Sequence, residues 1–108
     1  MATETVKFKG KSGREYTYYI HPKGTSFYDK PGNYCCGKLS NGTIRPLYFG
    51  ETGSLKQRWN DAAHECAPCV ERNGWNVTCA HISSAEAQDR LDEETDLRAA
   101  YDPPCNMQ

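Results

Sequence analysis

The sequence predicts an α+β domain in which a small, mostly antiparallel β-sheet is flanked by helices. Two hairpin patterns, within residues 5–21 and 33–50, predict four strands in the N-terminal half. Two amphipathic helix patterns follow, with one alternating segment between them. The predicted order β-β-β-β-α-β-α is typical of an α+β sandwich. With 108 residues and neither a linker nor a repeat, the chain is predicted to form one domain, residues 1–108.

Each hairpin is predicted from its turn and from the alternation around it. The segment TVKFKGKSGREYTYYIH alternates on both sides of Lys11-Ser12-Gly13, which indicates an N-terminal hairpin. The segments NYCCGKL and IRPLYFG flank Asn41-Gly42, a strong signal for a two-residue hairpin turn. Proline has no amide hydrogen to donate, so Pro46 predicts that its strand lies at a sheet edge or contains a bulge.

The first helix is predicted to begin after Ser54, which serves as its N-cap. It is expected to run for about a dozen residues until Pro68 ends it. One face of this helix is apolar and consists of Leu55, Trp59, Ala62 and Cys66. The segment GWNVTCAHI then alternates as a strand does.

A second helix is predicted to be capped by Ser83 or Ser84 and to run to about Tyr101, where Pro103-Pro104 ends it. Its apolar residues lie within about 60° of Glu94 around the helix axis, whereas three other acidic residues are predicted to point away. The apolar residues are Ala87, Leu91, Leu97 and Tyr101, and the outward acids are Asp92, Glu93 and Asp96. A carboxylate that faces a core needs a partner. For Glu94 the alternatives are an ion pair with Arg58, a capping role, or the ligation of a hard divalent cation.

The composition and the cysteines limit which classes of protein the chain can belong to. No apolar run is long enough for a membrane-spanning helix, and no apolar leader follows Met1, so a cytoplasmic protein without a membrane partner is predicted. In that setting the six cysteines are expected to be reduced thiols or metal ligands. The residues whose spacing resembles a zinc site are His64, Cys66, Cys69, Cys79 and His81. Because the segment between the pairs resembles a core strand, small buried thiols fit better than structural zinc.

Charge is distributed unevenly along the chain. Residues 1–58 carry ten basic and four acidic side chains, whereas residues 59–108 carry three basic and ten acidic ones. This polarity suggests a phosphate-rich partner on the first half. A lysine-rich hairpin that is merely solvated is the alternative explanation.

A set of motifs spread over residues 31–106 resembles the GIY-YIG nuclease superfamily. In that family the tyrosine of the second triplet is followed by Leu after seven residues and by Arg after ten. The family's metal-binding Glu is followed by Leu after three residues, Pro after nine and Asn after twelve. The matching residues here are Gly32-Asn33-Tyr34, Tyr48-Phe49-Gly50, Leu55, Arg58, Glu94, Leu97, Pro103 and Asn106. Residues 1–30, with the first hairpin, lie outside the motif and resemble a family-specific extension.

The resemblance implies hydrolysis of a DNA phosphodiester bond by a water molecule that attacks in line. Tyr34, with Tyr48 close by, would orient or deprotonate that water, and Arg58 would stabilise the charge of the transition state. Glu94 would hold one Mg²⁺ or Mn²⁺ ion, and Asn106 would position the C-terminal segment. Many members carry His or Tyr four residues after the Arg, where this chain has Ala62, so His64 is the nearest candidate for that role. The expected contacts with the DNA backbone are Lys7, Lys9, Lys11, Lys38 and Lys56.

Two other classes of function stay open at this point. The same fold could serve as a non-catalytic DNA-binding or interaction module, or the histidines and cysteines could form a small zinc-binding regulatory protein. The structure of the DNA substrate and the oligomeric state are also open. One active site cleaves one strand, so an enzyme that cuts both strands needs a dimer or sequential nicks.

Overall fold

The structure, a computed structural model, describes residues 4–22, 27–60 and 67–106; for residues 58–60 and 67 it describes the backbone alone. Its strands are β1 (Thr5–Lys9), β2 (Glu15–Pro22), β3 (Gly32–Ser40), β4 (Thr43–Thr52) and β5 (Val77–Ile82). Its helices are α1 (Leu55–Asn60), α2 (Ala67–Arg72) and α3 (Ala87–Tyr101), and a 3-10 turn follows at Pro104–Asn106. The described chain is therefore an α+β fold, as predicted. None of its helices is long and apolar enough to span a membrane.

The five strands form one antiparallel sheet in the order β1-β2-β5-β3-β4. Strand β5 enters between the two hairpins, so the N-terminal hairpin is joined to the second one through β5. The sheet has two covered faces. The α3 face packs around Phe8, Tyr18, Phe49 and Leu97, and the α1 face around Tyr34, Leu55 and Ala80.

Both predicted hairpins are confirmed. At the second turn Asn41 and Gly42 have φ angles of 53° and 77°, which only residues that tolerate the left-handed region adopt without strain. Both alternatives for Pro46 are also confirmed. Strand β4 is the last strand of the sheet, and the pairing with β3 shifts register next to Leu47, which is the extra residue of a β-bulge.

The N-cap of the first helix is confirmed, because the Ser54 hydroxyl accepts a hydrogen bond from the amide of Gln57 at 3.2 Å. The prediction that Pro68 ends this helix is wrong. Pro68 lies in the first turn of α2. Amide groups in the first turn make no hydrogen bond within the helix, so a proline is tolerated at this position. Residues 61–66, which include Ala62, His64 and Cys66, lie outside the described residues.

Helix α3 ends at Tyr101 as predicted, but its N-cap is Glu86 and not Ser83 or Ser84. The predicted apolar stripe is confirmed only in part, because Leu97 is buried but the other three apolar residues are exposed. Leu91 is 41% exposed, whereas Arg90, Glu93 and Leu97 are the buried residues of the helix. The sheet supplies polar partners to this face, so charged side chains can be buried there while a leucine faces solvent.

Candidate functional site

The tyrosines of the two triplets lie on the α1 face of the β3–β4 hairpin. Tyr34 is paired with Gly50 and Cys36 with Tyr48, so both phenol rings project from the same side of the sheet. Their ring centroids are 6.0 Å apart, and the rings are tilted by 30°. Tyr34 is 1% exposed, whereas Tyr48 is partly exposed. Of the two, Tyr48 is therefore the side chain that a ligand can reach more readily.

Glycines allow the strands to pack closely around this tyrosine pair. A β-carbon at Gly50 would lie 2.4 Å from Cζ and from Oη of Tyr34. A β-carbon at Gly32 would lie 2.5 Å from the carbonyl oxygen of His81 and 2.7 Å from Cδ1 of Leu55. Both positions therefore require glycine for space, because real β-carbons do not approach other atoms so closely.

Asn106 links the C-terminal segment to the strand that carries Tyr48. Its side-chain oxygen accepts a hydrogen bond from the amide of Phe49 at 2.8 Å, and its Nδ2 donates to the carbonyl of Phe49 at 2.9 Å. Both bonds are buried and span 57 residues of sequence. Because one amide side chain satisfies both backbone groups of Phe49, it holds the 3-10 turn against β4 at a defined register.

Glu94 lies on α3 and is partly buried, with 16% of its side chain exposed. Burial raises the pKa of its carboxyl above the ordinary value of 4.5, and the nearby Arg98 guanidinium opposes that shift. The two side chains are 3.6 Å apart, a long ion pair. Nη2 of Arg98 also donates to the carbonyl of Asn106 at 3.2 Å. A chain of polar contacts therefore runs from Glu94 through Arg98 and Asn106 to Phe49.

Two predicted catalytic side chains cannot be located in this arrangement. The backbone of Arg58 belongs to α1, but its side chain is outside the described part, as is all of His64. Among the residues whose side chains are described, Glu94 forms an ion pair with Arg98. The five lysines predicted to contact DNA are all exposed. Lys7 and Lys9 lie together on β1, Lys11 follows in the turn, and Lys56 is on α1; Lys38 lies against Gly74.

A buried polar cluster that was not predicted from the sequence lies on the α3 face. The Glu93 carboxylate accepts a hydrogen bond from the hydroxyl of Tyr18 at 2.6 Å and lies 2.7 Å from Nε2 of His81. Burial and the neighbouring carboxylate raise the pKa of Tyr18 well above 10. The prediction that Glu93 points away from the core is therefore wrong, and His81 is a half-buried partner of this carboxylate.

Two further acidic contacts correct the prediction for the same helix. Asp96 accepts hydrogen bonds from the amide and hydroxyl of Ser12 at 2.9 and 2.7 Å and from the hydroxyl of Tyr16 at 2.9 Å. These bonds to Ser12 lower the pKa of Asp96. Arg90 forms an ion pair with Glu51 at 2.9 Å. The alternation of Tyr16 and Tyr18 along β2 was the available signal, since it places two hydroxyls on the face that receives α3.

The described cysteines match the expectation of reduced thiols or metal ligands only in part. Cys69 of α2 and Cys105 of the 3-10 turn form a disulfide, whereas Cys35, Cys36 and Cys79 are free and buried. Cys69 therefore has no thiolate to offer to zinc. Within the described ranges, no three His, Cys, Asp or Glu side chains form a group that could hold a metal ion.

Comparison with known proteins adds no relative. None of the protein-family models, curated proteins or solved structures compared with the chain matches it.

Proposed function

We propose that the chain is a metal-dependent endonuclease of the GIY-YIG type, which hydrolyses phosphodiester bonds in DNA. The observation that carries this proposal is the double hydrogen bond between Asn106 and Phe49. The motif resemblance implies that Asn106 positions the C-terminal segment at the site, and Asn106 contacts Phe49 of the second triplet although 57 positions separate them. The adjacent Tyr34 and Tyr48 rings, with Gly50 beneath Tyr34, support the same proposal.

In this proposal the two tyrosines have different roles. Tyr48, the more exposed, contacts the attacking water, and the buried Tyr34 holds the Tyr48 ring in position. A tyrosine with an ordinary pKa near 10 is a poor base at neutral pH. It therefore needs a cationic neighbour, a role we assign to Arg58, which would also stabilise charge on the transferring phosphate.

Glu94 is the residue we assign to the divalent cation. Its carboxylate offers the oxygen ligand that Mg²⁺ and Mn²⁺ prefer, and burial makes its charge costly in the absence of a cation. The long contact to Arg98 offsets only part of that cost. A bound cation would stabilise the leaving oxygen. Asn106 and Arg98 hold α3 and the 3-10 turn against β4, the edge strand that carries Tyr48, so they would set the separation between Glu94 on α3 and Tyr48 on the α1 face.

A nicking assay on supercoiled plasmid, with and without Mg²⁺ or Mn²⁺, tests the proposal. We expect divalent-dependent nicking that Glu94→Gln and Arg58→Ala each reduce by about 10²–10³-fold, as loss of a charge-stabilising group does. Glu86→Gln and Arg72→Ala are matched controls, since both side chains are exposed and Glu86 makes no side-chain cap. Full activity of Glu94→Gln would exclude the metal assignment, and no nicking by the wild-type chain under any condition would exclude the nuclease.

A chelator separates the nuclease from the zinc-binding alternative. A structural zinc ion contributes directly to folding, so its removal unfolds small domains. We expect EDTA to stop nicking, to leave the melting temperature unchanged, and to be reversed by added Mg²⁺ or Mn²⁺. Release of stoichiometric zinc with a large fall in melting temperature would favour the zinc protein. The cytoplasmic location and the boundary at residues 30–31 stay predictions.

A further inference from the structure

An open aromatic cleft lies on the α1 face of the sheet, beside the tyrosine pair. It has a volume of about 670 Å³ and is bounded by strands β2 and β5, the segment before β3 and the start of α1. The side chains that define it are Tyr19, His21, Phe27, Tyr28, Leu55 and Ile82.

Three large side chains with apolar surface are exposed in the cleft. Tyr28 is 78% exposed, Ile82 57% and Tyr19 47%, and all three line this one cleft. Apolar residues that cluster on a surface mark interaction sites, whereas scattered ones do not. Neither the Tyr19 nor the Tyr28 hydroxyl has a hydrogen-bond partner within the described chain, so both rings are available to a ligand. His21 and Phe27 pack edge to face with centroids 5.2 Å apart.

Positive charge borders the cleft on two sides. Lys7 pairs with Thr17 and projects on the same face as the cleft-lining side chains of β2. On the other side, the amide of Lys56 donates to the carbonyl of Tyr28 at 3.1 Å, and Lys30 follows Tyr28 by two residues. The acid between them, Asp29, accepts a hydrogen bond from the Ser54 hydroxyl and keeps its negative charge, so Lys30 and Lys56 give that side a net positive charge. The border of the cleft is therefore suited to bind phosphates, and its aromatic side chains are suited to bind flat apolar rings.

We propose that this cleft binds the unpaired bases of single-stranded DNA, which stack on Tyr19 and Tyr28 while the lysines contact the phosphates. Duplex DNA fits the cleft poorly, because its bases are stacked on one another and cannot reach the rings. Single-stranded DNA offers a π-face with every base, and aromatic platforms flanked by basic residues bind it with little sequence preference. Burial lowers the pKa of His21, which keeps its imidazole neutral and suited to packing beside a base.

The cleft is continuous with the proposed active site. Leu55 and Ala80 line the cleft and also pack against Tyr34. A strand held in the cleft would therefore pass toward the tyrosine pair. This inference rests on the proposed function, because it assigns to the nuclease a substrate that has a single-stranded segment next to the cleaved bond.

Fluorescence anisotropy with a labelled oligo-dT strand, and with a duplex of the same length, tests the cleft directly. We expect tighter binding of the single strand, and a loss of roughly 5- to 150-fold in affinity for each of Tyr19→Ala and Tyr28→Ala. Tyr19→Phe and Tyr28→Phe retain the ring, so they should bind as the wild type does. Leu91→Ala, which removes an exposed apolar side chain from α3, is the control for nonspecific surface effects.

Charge reversal tests the border of the cleft. Lys7→Glu should weaken binding and reduce the dependence of affinity on salt, because fewer counterions are displaced. The proposal would be overturned if the Ala and Phe variants bound equally well, or if the chain preferred the duplex. It would also be overturned if the chain bound an RNA strand more tightly, or bound only protein partners. If the chain nicks plasmid but its Tyr→Ala variants bind single-stranded DNA normally, the nuclease proposal holds and the cleft proposal is excluded. If binding depends on the rings but no nicking occurs, the cleft proposal holds and the nuclease proposal is excluded.

Discussion

The phenol ring of Tyr34 lies directly over Gly50 of the neighbouring strand, so closely that a β-carbon at position 50 would come within 2.4 Å of its Cζ and Oη atoms. The two residues are cross-strand partners in the β3–β4 pair. The ring consequently occupies the space that a side chain on β4 would fill, and it lies beside Tyr48. The glycine of the second triplet is thus explained by packing on this face, whatever reaction the tyrosines support.

Replacement of Gly50 by alanine should therefore displace the Tyr34 ring. We expect Gly50→Ala to lower the free energy of unfolding by about 1–3 kcal/mol, the usual cost of overpacking a well-filled core. Gly53→Ala is the matched control, because a β-carbon there would meet only Nη2 of Arg90 at 3.9 Å, an ordinary contact. Urea unfolding measures both variants. Equal stability of the two would contradict the close packing described here.

Among the acidic residues of α3, we expect Glu93 to cause the largest loss of stability when it is replaced by alanine. Glu93→Ala leaves the buried hydroxyl of Tyr18 and one ring nitrogen of His81 without their partner. Leaving a buried hydrogen-bonding group without its partner costs about 1–3 kcal/mol. The neighbouring exposed residue provides the control, since Asp92→Ala should change stability by no more than about 0.5 kcal/mol. Similar unfolding midpoints for the two alanine variants would show that the buried cluster contributes little.

The disulfide between Cys69 and Cys105 should respond to reductant. It closes a loop across 36 positions, so its loss should cost about 3–4 kcal/mol through the greater freedom of the unfolded chain. Thermal unfolding with and without dithiothreitol measures this difference. The double variant Cys69→Ser/Cys105→Ser should melt like the reduced protein and show no further response to reductant. A wild-type chain whose melting is indifferent to reductant, with no linked peptide in a digest, would contradict the bond.

The raised pKa of Glu94 makes a prediction about pH. Because burial disfavours its charged form, the folded protein binds this proton more tightly than the unfolded chain. The contribution of Glu94 to stability is therefore most favourable below its unfolded pKa and is lost as pH rises through the folded pKa. Glu94→Gln should accordingly gain stability relative to the wild type between about pH 4 and pH 7. Paired urea titrations at the two pH values test this, with Glu86→Gln as a control that should show no such change; a relative gain in the opposite direction would contradict the burial of Glu94.

Cleavage should depend on pH in the opposite sense to stability. A protonated Glu94 cannot bind a cation, so nicking is expected to fall as pH drops through its raised pKa. Single-turnover nicking at saturating Mn²⁺ measures the profile. A rate that stays level across that range would count against Glu94 as the metal ligand.

Local chemistry in the sequence determined the strands, the turns, the start of α1 and the end of α3. The pair Asn41-Gly42 adopts the left-handed conformations that a tight hairpin needs, and Ser54 offers the hydroxyl that a helix N-terminus needs. Such features depend on neighbours within three or four residues, so the sequence alone predicts them. The bulge beside Pro46 follows in the same way from a missing amide hydrogen.

The tertiary structure alone decided which face of α3 is buried and which cysteines are joined. The apolar period of the helix predicted a stripe centred on Glu94. However, the sheet presents Tyr18, His81 and Glu51 to that helix, and these partners make burial of Glu93 and Arg90 favourable. The period of one helix carries no information about the polar groups opposite it. Likewise Cys105 meets Cys69 only because Asn106, its neighbour, is bound to β4, a contact between segments that are far apart in the chain.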